Sequence, residues 1–324
     1  MSDGPRLNRS ITLQFKGDWG QANLHRVCGW LCQEIGDGAG PHSRIAIWNG
    51  RGGVDNVRAV GRGEVDVSLA TPAAFVKMAV DGKGPYGGEA FPHLRALGTV
   101  AQTDRLVLAV SAEHGIRSFA DLRERRPVLR IATSPDDGIN HIGLAVHRIM
   151  ELSGIPDHDL EAWRGRFVED ERPFPCLQAV ADGAADAVFY EAIMTARWQQ
   201  LANERQLTFV PIEDGVLDQL ERDFGWPRAV LPAGYFRGLE EPLPTLDFSD
   251  FLVLARMDMP DDVAYLIAWC LVETRAKLEA QYRHIPPERS PVTYPLEPAK
   301  IAATAIPLHP GAASYYASAG LLTA

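Results

Sequence analysis

The stretch from Ile45 to Leu69 limits what this chain can fold into. Ile45-Ala46-Ile47-Trp48 is a short apolar run of strand type, Asn49-Gly50-Arg51-Gly52-Gly53 is a turn, and Val54 to Val60 has helical spacing. Val65-Asp66-Val67-Ser68-Leu69 then reads as a second strand. A strand, glycine turn, helix and strand in succession favour a parallel pair, because the crossover helix has to cover one face of the sheet. The glycines let main-chain N–H groups come close to a ligand, and the helix start behind them carries partial positive charge. Such a turn suits a carboxylate or a phosphate. It has neither the G-x-G-x-x-G pattern of dinucleotide sites nor the GK[ST] of phosphate loops, so it names no cofactor, and none is expected.

The rest of the chain continues the alternation. Ile11 to Phe15 is a strand, and the helix expected from Gln21 to Ile35 places Leu24, Val27, Cys28, Leu31 and Ile35 on one face. Thr71 is placed to cap a helix that has Pro72 at its first position. Further strands are expected at 94–101, 106–111, 129–132, 187–190, 207–212 and 251–255. Helices are expected at 140–153, 176–182, 193–204, 216–224, 261–281 and 312–317, and Ser118 reads as the cap of a short one. Residues 163–175 and 227–244 read as irregular. This pattern is that of an α/β protein with mostly parallel sheets. The strands at 106–111 and 251–255 are placed as crossings between two lobes.

Composition excludes several classes. At 324 residues the chain is long enough for one large domain or two lobes. Its formal net charge of -10 argues against nucleic acid as a partner. No apolar run is long enough to cross a bilayer, so direct membrane insertion is not expected. The N-terminus carries no basic segment followed by an apolar one. The expected location is therefore cytoplasmic as written, or periplasmic if a signal peptide has been removed. Cys28, Cys32, Cys176 and Cys270 are too scattered for a disulfide scaffold. His25, Cys28 and Cys32 share a helical stripe, but zinc ligands usually come from two separated segments, so small buried thiols are expected and no metal.

Several segments together resemble a known family. Gly52-Gly53-Val54-Asp55-Asn56, followed by Gly63-Glu64-Val65-Asp66-Val67, resembles the GSVEN and GEADL segments of the TAXI solute-binding proteins of TRAP transporters. His114 to Leu122 resembles their GIKSLADL segment, and Asp182 to Phe189 their DGKIDAFF segment. Ile306-Pro307-Leu308-His309-Pro310-Gly311-Ala312 with Tyr315, Tyr316 and Gly320 is similar to the terminal iPLHPGAarYYkeaG. The resemblance runs over about the whole chain. It implies a two-lobed type II periplasmic-binding-protein-like fold with a ligand cleft between the lobes. Lobe I would be 1–107 plus 251–324, and lobe II 108–250.

The same resemblance implies a binding protein for a small organic acid or amino-acid-like solute, partnered by TRAP membrane subunits if it is exported. Ligands of open α/β sheets sit at the carboxyl ends of strands. The expected walls are therefore Trp19, Gly52, Gly53, Val54, Asn56 and Thr71 in lobe I, and Thr133, Ser134, Asn140, His141, Tyr190 and Glu191 in lobe II. The chain departs from the family pattern in three places. Gly53 stands where the family has serine, Gly17-Asp18-Trp19-Gly20-Gln21 replaces a turn of glycines and small hydroxyls, and Thr133 to His141 is longer and more acidic. An enzyme alternative on the same fold is a decarboxylase of a small carboxylic acid, aromatic or not. There His141 with Asp136 or Asp137 would move protons and Trp19 would position the ring. His309 is read as a helix-start and packing residue.

Overall fold

The computed structural model describes residues 4–20, 22–193 and 195–322. In chain order its strands are β1 (Thr12–Lys16), β2 (Arg44–Trp48), β3 (Val67–Ala70), β4 (Leu94–Val100), β5 (Arg105–Ser111) and β6 (Arg130–Thr133). Then follow β7 (Arg166–Glu169), β8 (Ala187–Glu191), β9 (Leu207–Val210), β10 (Arg228–Leu231), β11 (Leu243–Asp247) and β12 (Phe251–Arg256). The chain divides into two units, Met1–Thr103 with Ser249–Ala324, and Asp104–Phe248.

The first unit is a five-stranded sheet in the order β2-β1-β3-β12-β4. Its first three strands run parallel, with Phe15 opposite both Ile47 and Val67. Each is followed by a helical segment: Asn23–Gly38 after β1, Gly53–Gly61 after β2, and Ala73–Phe75 running into Val76–Asp81 after β3. Helix Asn23–Gly38 buries Leu24, Val27, Cys28, Leu31 and Ile35, the positions its spacing picked out. Burial pushes the Cys28 thiol well up and that of Cys32 to about 12, so neither is a ready thiolate. β12 and β4 complete the sheet in antiparallel sense.

The second unit repeats this plan. Its sheet contains the parallel triplet β7-β6-β8, followed in turn by helices Pro173–Ala181, His141–Leu152 and Thr195–Glu204. β5 lies antiparallel on β8, and its far edge is shared by β9 and β11. Both sheets are thus mixed, which corrects the expectation of mostly parallel ones. β12 and β5 each return in the opposite direction, a feature that strand-helix alternation along the chain does not encode.

Other differences have local causes. The helix expected over 261–281 is two, Asp261–Glu273 and Arg275–Ala280. Thr274 Oγ1 donates to the Cys270 carbonyl at 2.8 Å, a back-bond that bends helices. β7 and β10 lie in segments expected to be irregular. Both are edge strands with exposed charged ends, Arg166 and Glu169 in one and Arg228 in the other, so neither shows a clean two-residue alternation. Pro72, not Thr71, holds the N-cap position of the short helix that follows, and the Thr71–Pro72 bond is cis. Ser118 does act as a cap, its Oγ accepting from the Asp121 N–H at 3.0 Å. Residue 21, expected to begin the first helix, lies outside the described residues.

The C-terminal Leu-His-Pro-Gly-Ala motif is a packing device. His309 is fully buried at the N-cap of helix Pro310–Ser318, and its Nδ1 accepts from the Gly311 N–H at 3.1 Å. Nδ1 is therefore unprotonated, and Nε2–H faces the Met257 carbonyl at 3.2 Å. A Cβ on Gly311 would stand 2.2 Å from the Asp261 carbonyl oxygen, so only glycine lets the two helices approach this closely. Tyr316 OH donates to the Leu97 carbonyl at 2.7 Å, and Tyr315 OH to Glu273 at 2.9 Å. We predict that His309→Ala lowers unfolding free energy by about 1–2 kcal/mol through loss of the cap. Gly311→Ala should cost more, and urea unfolding of both variants checks the order.

Candidate functional site

In each unit the central strand of the parallel triplet has a neighbour on either side, and all three strands end at the same edge. The loops there, and the helix starts behind them, form the candidate site.

In the first unit these loops include residues 17–20, 49–52 and 71–72. Gly52 and Gly53 have φ of 71° and 49°, the left-handed region that glycine enters without strain. Gly52 is the N-cap of helix Gly53–Gly61, and Val54 is fully buried behind it. Asp55, in the first turn, takes the Arg51 N–H at 2.9 Å and the Lys16 ammonium at 2.8 Å. Asn56 is fully buried and its amide nitrogen donates to the carbonyls of Leu69, at 2.9 Å, and Lys16, at 3.4 Å. The Val-Asp-Asn part of the motif therefore holds strands and turn together, and of Asn56 only Oδ1 is left without a partner. Trp19 and Thr71 are half-buried on the neighbouring loops.

Asp18, one residue from Trp19, was not among the expected wall residues. It is 2% exposed. Its Oδ2 accepts from the Leu24 N–H at 3.0 Å, at the start of helix Asn23–Gly38, while Oδ1 is buried without a partner. Burial raises its pKa, and main-chain N–H groups of Leu24, Ala22 and His25 partly oppose that. Its position directly beyond a strand end was the available signal.

In the second unit the edge carries Thr133 and Ser134 after β6, residues 170–172 after β7 and Glu191 at the end of β8. Ser134 Oγ donates to Tyr190 OH at 2.8 Å, and Tyr190 OH donates to the Glu171 carbonyl at 3.0 Å. These expected ligand hydroxyls are thus committed to one another, locking β6 and β8 to the loop after β7. Burial pushes the Tyr190 phenol well up, and the negative charge of Glu191 adds to it. Glu191 also adds to the burial that holds the Asp104 carboxyl high. Thr133 is fully buried, and its Oγ1 has no partner.

The acidic loop turns inward on itself. Asp137 Oδ1 accepts from the N–H groups of Ile139, at 2.9 Å, and Asn140, at 3.2 Å, and from the Asn140 side-chain amide at 3.1 Å. It orders the approach to helix His141–Leu152, for which Asn140 is the N-cap. Asp136 is exposed, and His141 is 3% exposed as the first helical residue. We predict that Tyr190→Phe, which removes the acceptor of the buried Ser134 hydroxyl and one donor to the Glu171 carbonyl, costs about 1–3 kcal/mol of stability in chemical unfolding.

Residues 30–320 match the model of the NMT1-like family. Among solved structures, a TctC solute-binding protein from Polaromonas is similar over 97% of this chain and 99% of its own, at TM-score 0.53 and 10% identity. The periplasmic binding protein BugD is similar over 96% and 98%, at TM-score 0.53 and 13% identity. A protein described as a periplasmic transporter is similar over 90% and 92%, at TM-score 0.50 and 14% identity. At these identities the likeness is one of fold, that of the periplasmic binding proteins. Among the described residues no helix is long and apolar enough to cross a membrane.

Proposed function

The chain belongs to the NMT1-like family, and from that premise we propose that it is a TAXI-like solute-binding protein for a small carboxylated organic solute. The carboxyl-edge loops of its sheets are the ligand-facing surfaces. The observation that carries this reading is Thr133: a fully buried hydroxyl without a partner, at the end of the central strand, beside a turn that leads into a twelve-residue helix. A helix start supplies main-chain N–H donors and positive potential, and a neighbouring hydroxyl completes a carboxylate subsite. The start of helix Gly53–Gly61, with its two glycines and no side-chain cap, is the corresponding place in the first unit. The Gly53 position lacks the family's serine hydroxyl, so main-chain donors carry the contact there. On this reading the partners are a small organic acid and, for an exported product, TRAP membrane subunits.

For the catalytic alternative the relevant groups are Asp136, Asp137 and His141. Asp137 spends its carboxylate on three donors of its own loop, and Asp136 is exposed.

A thermal-shift screen against small organic acids, with mass spectrometry of the recovered ligand, tests the reading. A true ligand raises apparent stability, by about 2.7 kcal/mol at a hundredfold excess over Kd, and returns unchanged. Thr133→Val is expected to weaken its binding by about tenfold in calorimetry. An acid that returns without its carboxyl group overturns the receptor reading in favour of an enzyme.

A further inference from the structure

We propose that this chain forms a two-fold symmetric dimer in which strand β2 pairs antiparallel with β2 of a second copy, centred on Ala46. The surface involved is separate from the candidate site, and the inference stands whatever the solute is.

β2 is an outer strand of the first unit's sheet. The opposite outer strand, β4, is covered by the terminal segment. There the Ala96 N–H donates to the Pro307 carbonyl at 2.9 Å, and the His309 N–H to the Ala96 carbonyl at 2.9 Å. Among the described residues no strand lies on the outer side of β2. On its inner side, the Arg44 N–H donates to the Ile11 carbonyl at 2.8 Å, and the Gly17 N–H to the Trp48 carbonyl at 3.0 Å. In a parallel ladder alternate residues face one neighbour. Arg44, Ala46 and Trp48 therefore bond to β1, and the main-chain groups of Ile45 and Ile47 point outward. Such an edge is a template for further pairing unless a charge, a proline or a bulge blunts it. β2 carries a single charge, at its first residue, and neither of the other devices.

The side chains say which strand fits. When Arg44-Ile45-Ala46-Ile47-Trp48 is laid against itself in the opposite direction, with Ala46 on the two-fold axis, Ile45 falls opposite Ile47 of the second copy. These are the residues with outward main-chain groups, so each such pair exchanges both of its N–H···O=C bonds. On the other face of the strand Arg44 falls opposite Trp48, and symmetry repeats the contact. Arg44 and Ala46 are exposed, and Trp48 is 55% exposed. The indole Nε1–H donates to Gln14 Oε1 at 3.0 Å, which holds the ring in place. Arg44 makes no ion pair among the described residues, and a guanidinium over an indole face is a favourable cation–π contact. The edge strand β10 differs. Val230 is exposed there too, but Arg228 is held by Asp214 and Asp218. Because the paired β2 strands run in opposite directions, the carboxyl edges of the two copies lie at opposite ends of the joined sheet, and each copy keeps its own candidate site.

Sedimentation velocity of the full chain tests the assembly. One chain is expected to convert to two as concentration rises towards about 1 mM, since a single strand pair makes a small interface. Ala46→Lys sets like charges opposite each other on the axis and should weaken the dimer at least about tenfold. Trp48→Ala should weaken it by about tenfold, and Val230→Lys should leave it unchanged. Mild oxidation tests the register. Ala46→Cys should form a disulfide between copies, because residues paired directly on the axis lie within disulfide reach. Arg44→Cys and the unaltered protein should not cross-link. All these side chains are exposed, so the variants are expected to fold. A single chain at every concentration, a dimer indifferent to Ala46→Lys or lost in Val230→Lys, or cross-linking at 44 in place of 46 would overturn the proposal.

Discussion

At the carboxyl end of each central strand, main-chain carbonyls leave the sheet and need new donors, and most of the local architecture answers that need. In the first unit the Lys16 carbonyl takes the Ser68 hydroxyl at 2.6 Å and the Asn56 amide at 3.4 Å. In the second, the Thr133 carbonyl takes the Asp170 N–H at 3.0 Å and the Cys176 thiol at 3.4 Å. Buried carbonyls without partners would cost more than these bonds return individually, so the side chains at this edge are constrained before any ligand is considered. Among the described residues, Thr133 Oγ1, Asp18 Oδ1 and Asn56 Oδ1 are buried atoms at this edge outside that accounting.

This separates two kinds of residue that look alike in the sequence. Asn56, Ser134 and Tyr190 are polar residues near strand ends, and each was expected to face ligand. Ser134 and Tyr190 turn out to satisfy one another, and Asn56 ties β1 to β3 through its amide nitrogen. Asp18, outside that expectation, is also buried, with its Oδ2 on the Leu24 N–H. The distinction depends on which hydrogen bonds close over long sequence separations, such as the 56 residues between Ser134 and Tyr190.

The two units also share a plan that their sequences do not advertise. Each has a parallel triplet in which the first strand lies in the middle, β2-β1-β3 and β7-β6-β8, followed by a strand running the opposite way. Inspection of the chain finds no internal repeat, because a strand order is compatible with any residues of suitable apolarity and turn content. The matched arrangement brings helix starts to one edge of each sheet.

The sequence by itself determined the local elements and much of their roles. Glycine turns at 52–53, the helical spacing of Leu24, Val27, Cys28, Leu31 and Ile35, and the histidine cap at His309 all follow from short-range rules of backbone freedom and periodicity. The terminal motif was legible for the same reason, since a cap and a close helix approach are set within a few residues. Only the tertiary structure decided that β12 and β5 run antiparallel to their neighbours, that β7 and β10 are strands at all, and that Thr274 breaks the long helix. It alone decided which polar groups at the strand ends are spent on the fold. Strand direction, edge pairing and hydrogen-bond satisfaction depend on partners distant in the chain, and no local pattern carries that information.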